Sequence, residues 1–154
     1  MQANYALLAK IGPGPLDPEK VKKCQEIIDN NQLDFAPIAE QLLERLKTIT
    51  DQLTANDINK QNTQEINAIV MELKANASTF KYSLAGNLAN IMLNFLESLT
   101  TVDQDAIDIV TAHQKTLSAI ISKRMTGDGG EYGQKLEAEL KSACKRYFDR
   151  TKKQ

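Results

Sequence analysis

The segment SLAGNLANIMLNFLESL runs from Ser83 to Leu99. A helix drawn through it carries apolar side chains on almost every side: Leu84, Leu88, Ile91, Met92, Leu93, Phe95, Leu96 and Leu99. A helix that is apolar all round needs neighbours on several sides to cover it. The sequence therefore predicts a helix in the middle of a helical bundle.

Three amphipathic segments surround this central one in the sequence, with apolar residues spaced three and four apart. The first follows Asp34 and carries Phe35, Ile38, Leu42, Leu46, Ile49 and Leu53. The second starts near Thr63 and carries Ile66, Ile69, Val70, Leu73, Ala77 and Phe80. The third ends near Met125 and carries Val102, Ala106, Ile109, Val110, Leu117 and Ile120. Because short connections favour antiparallel neighbours, residues 34–125 are predicted to form an antiparallel four-helix bundle.

Further helices are predicted at both ends of this bundle. In residues 1–33, Asp17 can cap a short helix that has Pro18 at its first position and runs to about Asn30. In residues 126–154, the glycine-rich segment TGDGGEYG is interpreted as a flexible joint before a last helix. The predicted fold is thus a single all-α domain, with the first and last helices on the outside of the bundle.

The composition argues against several classes of function. The net charge is −1 and no basic stripe stands out, so neither nucleic acid nor a membrane is a predicted partner. One histidine and two distant cysteines form no metal-binding spacing, so no metal or cofactor is predicted. Unpaired cysteines and the lack of a signal-peptide pattern favour the cytoplasm. With no nucleophile–base set, we do not expect an enzyme.

The segment MELKANASTFKY, from Met71 to Tyr82, resembles the central motif of histidine-containing phosphotransfer (HPt) domains. That motif is close to H-x-x-K-G and lies on the second helix of a four-helix bundle. Lys74 matches the motif lysine, Ala75 stands in the place of the small glycine, and Met71 stands in the place of the phosphorylated histidine. At roughly 100° per residue, Met71 lies about 160° from the centre of the apolar stripe, so its side chain is predicted to be exposed.

The resemblance implies a face that docks on a two-component receiver domain or a histidine kinase. Its predicted members are Asn67, Met71, Lys74, Ala75 and Ser78. Because a thioether cannot form a phosphoramidate, a protein with methionine at this position would modulate its partner without carrying phosphate.

Two alternatives remain open. His113, the only histidine, could be a displaced phosphate acceptor, but it falls in the apolar stripe of its helix. That position predicts a buried imidazole, hydrogen-bonded across the bundle, with a lowered pKa. The chain could also be a generic helical adaptor that binds through its outer helices, at residues 17–30 or 132–149.

Overall fold

A computed structural model of the chain describes residues 17–30, 34–53 and 60–152. The chain divides into two compact units, Met1–Leu33 and Asp34–Gln154. In the first unit, helix α1 spans Pro18–Asn30. The Asp17 carboxylate accepts a hydrogen bond from the backbone N–H of Glu19 at 3.0 Å, so the predicted start of this helix is confirmed.

The second unit contains five helices: α2 (Phe35–Gln52), α3 (Lys60–Thr79), α4 (Ser83–Glu97), α5 (Gln104–Ser122) and α6 (Gly130–Thr151). Helices α2 to α5 form a closed ring of contacts, in which each helix packs on the one before it and the one after it, and α5 returns to α2. No strand occurs within the ranges that the structure describes. The predicted all-α helical bundle is therefore confirmed, and no described helix is long and apolar enough to cross a membrane.

Contacts at one end of the bundle fix the helix directions. Phe35 at the start of α2 stacks on Phe80 just after α3, with ring centroids 5.5 Å apart. Asp34 forms an ion pair of 2.7 Å with Arg124, just after α5. The backbone N–H of Leu84, at the start of α4, donates to the Gly127 carbonyl at 2.8 Å. Two helices therefore start at this end and two finish there, which makes the bundle antiparallel.

The core follows the sequence pattern closely. Leu84, Leu88 and Met92 on α4 are fully buried, as expected for the central helix. On α2 one expectation is wrong: Ile38 is 38% exposed rather than in the core. Ala39 and Leu43 on the same helix are buried instead. The side of α2 that faces the core is therefore rotated slightly away from the line of large apolar residues.

Helix α5 ends earlier than predicted, at Ser122 rather than near Met125. Arg124 adopts a left-handed backbone conformation with φ of 50°. The N–H groups of Arg124 and Met125 then bond back to the carbonyls of Ile121 and Ile120, at 2.9 and 3.0 Å. This pair of bonds is the Schellman motif that closes many helices, usually around a glycine.

The glycine-rich segment, which its composition predicts to be a flexible joint, forms a hydrogen-bonded turn against α4 in the structure. The Gly127 N–H donates to the Lys81 carbonyl at 2.7 Å, and the Gly127 carbonyl accepts from Leu84. Gly129 has φ of 71°, and a Cβ atom there would lie 2.7 Å from a methyl carbon of Leu84. Glycine is therefore required at this position by both backbone conformation and space.

Helix α6 packs on α4 and α5. The Tyr147 ring contacts Phe95 of α4 edge-on, with centroids 5.4 Å apart, and its hydroxyl lies 3.3 Å from the Asp103 carboxylate at the start of α5. Cys144 is buried on the same side, which raises the pKa of its thiol to about 11 and leaves it unreactive at neutral pH.

Candidate functional site

Met71 lies on the outside of α3, as predicted. Its side chain is 57% exposed, whereas Ile69, Val70 and Leu73 on the opposite side of the helix are buried against the bundle. Successive residues of a helix are rotated by roughly 100°, so the stripe that buries Ile69, Val70 and Leu73 leaves Met71 on the opposite, outer side. An exposed methionine side chain is flexible and apolar, so it can adapt to the shape of a surface that contacts it.

The other predicted members of the face surround Met71, and we refer to these five residues of α3 as the α3 face. Ala75 and Ser78 are exposed, and Asn67 and Lys74 are half-buried. The Ser78 hydroxyl donates to the Lys74 carbonyl one turn earlier, at 3.1 Å. The side-chain oxygen of Asn67 is buried and has no hydrogen-bond partner among the described residues.

Helix α4 packs closely against the edge of the α3 face, at Gly86. A Cβ atom built on Gly86 of α4 would lie 3.6 Å from the Ala77 Cβ and 3.7 Å from the Ser78 hydroxyl oxygen. The helices approach closely because glycine and alanine meet at the contact, as small residues allow. A partner that rests on Met71 and Ala75 would therefore meet no bulky side chain at the Gly86 position.

Charge on the α3 face comes from one side chain. Within the described ranges, no carboxylate lies within 4.0 Å of the Lys74 ammonium group. The ammonium can therefore pair with an acidic group of a partner without first breaking an ion pair. The face offers apolar contact, one cation and a hydroxyl group, and it holds no imidazole that could accept a phosphoryl group.

His113 is fully buried on α5, as its position in the apolar stripe predicts. Burial lowers the pKa of the imidazole below its ordinary value of 6.5. Its Nδ1 atom lies 2.9 Å from the Ile109 carbonyl oxygen, and its Nε2 atom is buried with no partner in the described part of the chain. A receiver's aspartyl phosphate could reach Nε2 only if the ring left this position.

The expected hydrogen bond from His113 across the bundle is wrong. The imidazole bonds to the carbonyl four residues earlier on its own helix, which is the nearest acceptor to Nδ1. The bond across the bundle comes from the next residue, Gln114, whose amide donates to the Leu43 carbonyl of α2 at 3.4 Å and to Ser118 at 3.1 Å. Sequence reasoning missed Gln114, because a glutamine beside an apolar stripe usually faces solvent.

The acidic residues near the start of α5 are not gathered into a metal site in the described part of the chain. Asp103 caps α5, where its carboxylate accepts from the Ala106 N–H at 2.8 Å. Within the described ranges, no three histidine, cysteine or acidic side chains come close enough to hold a metal ion.

Comparison with known proteins gives no relative: no family model, no curated protein and no solved structure matches this chain.

Proposed function

We propose that this chain is a non-catalytic signalling module, similar to an HPt domain, that docks on a receiver domain or a histidine kinase and modulates it without carrying phosphate. One observation carries the proposal. Met71, at the position where the resemblance puts the phosphorylated histidine, is 57% exposed on an outer helix face. The position has the accessibility that a phosphorelay partner needs but lacks the nucleophilic nitrogen.

The exposed thioether supports docking through apolar burial. Methionine has three rotatable bonds and a polarizable sulfur, so it adapts to the shape of a partner surface. Full burial of such a side chain contributes about 1.5–3 kcal/mol, before the ordering of the two surfaces is subtracted. Ala75 and Ser78 beside it are small and exposed, which lets the partner backbone approach.

Lys74 supports the choice of partner. A receiver domain accepts phosphate on an aspartate within an acidic pocket, and an unpaired ammonium group complements that pocket. Complementary charge of this kind steers association and selects among partners more than it increases affinity. Bound in this way, the chain would cover the phosphorylation pocket and sequester, inhibit or scaffold its partner.

A capture experiment from native cell extract tests the proposal. Wild-type protein is compared with Met71→Glu, which places a carboxylate at the centre of the α3 face. Tyr132→Glu is the matched control, because Tyr132 on α6 is 58% exposed and the substitution introduces the same charge. Both substitutions are at exposed positions, so neither should change the free energy of unfolding by more than about 0.5 kcal/mol.

We expect wild type and Tyr132→Glu to capture receiver domains or histidine kinases, and Met71→Glu to lose them. The captured receiver is then purified and its affinity measured for all three proteins. Captured proteins unrelated to phosphorelays, or equal capture by Met71→Glu, would contradict the proposal and favour an adaptor that binds through its outer helices.

A further inference from the structure

A groove between α5 and α6 offers a second site, on a different side of the bundle from the α3 face. Its volume is about 260 Å³, and both helices contribute its lining. Ile109 and Ala112 of α5 and Leu140 and Ala143 of α6 supply apolar walls, and His113 also lines it. The groove is large enough for a molecule with one aromatic ring.

His113 gives this groove a polar group without a partner. The Ile109 carbonyl can only accept a hydrogen bond, so the nearby Nδ1 atom carries the proton and Nε2 is an unprotonated acceptor. Nε2 is buried and unpaired, while the whole side chain has no exposed area. Buried acceptors without partners are uncommon, and one at a groove is best satisfied by a donor that enters it.

The rim of the groove does not favour a charged ligand, because its lining holds two carboxylates and two guanidinium groups, whose charges cancel. These groups are in contact with neighbours: Arg150 with Asp105 at 3.2 Å, Arg146 with Glu139 at 3.2 Å, and Asp108 with the Gln104 amide at 2.9 Å. Each contact also satisfies part of the charged group's hydrogen-bonding capacity, so a charged ligand gains little attraction at the rim. A neutral ligand leaves these contacts in place.

We propose that the α5–α6 groove binds a small, neutral, ring-shaped molecule with one hydrogen-bond donor, of the class of phenols and N–H heterocycles. The ring lies between Ile109 and Leu140, and its O–H or N–H donates to the Nε2 atom of His113. Because Nε2 is covered in the ligand-free chain, a side chain of the groove wall moves aside when the donor binds. This site is independent of the proposed docking function.

The test uses phenol as the probe and toluene as its control, since the two rings have nearly the same size and only phenol can donate. Binding is followed by NMR, through the His113 ring nitrogens and the methyl groups of Ile109 and Leu140. We expect saturable phenol binding with a change at Nε2, and an affinity for phenol at least about tenfold higher than for toluene.

Two variants decide whether the groove and His113 are responsible. His113→Phe keeps a ring in place but removes the acceptor, so the preference for phenol over toluene should fall close to one. Ala143→Leu fills the groove from α6 and should abolish binding of both probes. Equal affinities of wild type for the two probes, absence of saturable binding, or a preference that survives His113→Phe would overturn the proposal and leave Nε2 to a buried water.

Discussion

A phosphate-accepting site needs both a nucleophilic nitrogen and access for a partner protein. The α3 face and the α5–α6 groove each have one of these two properties. Met71 on the α3 face is accessible to a partner but has no nucleophilic nitrogen. His113 in the groove has an unprotonated nitrogen that no partner protein can reach in the folded chain. A residue's position around its helix axis, and not its chemistry alone, therefore decides whether it can react with another protein.

The largest expected effect is on the free energy of unfolding, which a truncation in the groove should lower and a truncation on the α3 face should hardly change. His113→Ala should lower the free energy of unfolding by about 2–4 kcal/mol, because it leaves a cavity in a packed interior. Met71→Ala, the matched truncation on the exposed face, should change it by no more than about 0.5 kcal/mol. Urea unfolding followed by circular dichroism measures both values. Similar costs for the two substitutions would mean that the assignment of buried and exposed positions is wrong.

A smaller loss of stability is expected for substitutions in the glycine turn that leads into α6. Gly129→Ala should destabilise the chain by about 1–3 kcal/mol more than Gly127→Ala. Both glycines have positive φ, but only a Cβ atom on Gly129 would collide, at 2.7 Å from Leu84. Thermal unfolding of the two variants measures the difference. Equal costs would mean that the turn is not packed against α4, and would support the flexible joint predicted from composition.

Next in size is the response to acid. Because burial lowers the pKa of His113 in the folded chain, the unfolded chain binds a proton there more readily. The contribution of His113 to stability is thus complete above about pH 6.5 and decreases as the pH falls below that value, by at most about 1.4 kcal/mol per pH unit.

The variant His113→Phe should lack this loss between pH 7 and the folded-state pKa of the histidine. Asp105, Asp108, Arg146 and Arg150, which line the same groove, are present in both proteins and serve as the internal control. Urea midpoints measured across this pH range give the comparison. Parallel pH profiles for wild type and variant would show that the imidazole titrates normally in the folded chain.

The smallest predicted effect concerns the contact that holds the far end of α6. Tyr147→Phe removes a hydroxyl that lies 3.3 Å from the Asp103 carboxylate and 3.5 Å from the Thr101 carbonyl. Loss of such a hydrogen bond should cost about 0.5–1.5 kcal/mol. Hydrogen exchange should show the loss in α6 and not in α3. An equal increase of exchange in α3 would contradict the independence of the two regions.

Much of this arrangement follows from the sequence, because apolar spacing reports which side of a helix is buried. It placed the all-round apolar helix α4 in the centre, Met71 outside and His113 inside. It could not identify the partner of a buried polar group, so the hydrogen bond across the bundle was expected from His113 and not from Gln114. Local composition also could not show the close contact between Gly129 and Leu84, because these residues are distant in sequence.

The groove could not be predicted at all, since it exists only through the placement of α6 against α5. The left-handed Arg124 that ends α5 was equally hidden, because a C-terminal cap of this type is usually marked by glycine. The α3 face was predictable as an exposed surface. Its proposed partner depends only on the resemblance to HPt domains, since no family model, curated protein or solved structure matches the chain.

The NMR spectrum of the single imidazole should be measured first, with both ring nitrogens of His113 followed from pH 8 to pH 5.5 in the folded chain. We expect a proton on Nδ1, none on Nε2, and a titration that lies below pH 6.5 because the ring is buried. A ring that titrates freely near that pH, with its proton on Nε2, would show an accessible imidazole. His113 would then be a possible phosphate acceptor, and the division between the two regions would be wrong.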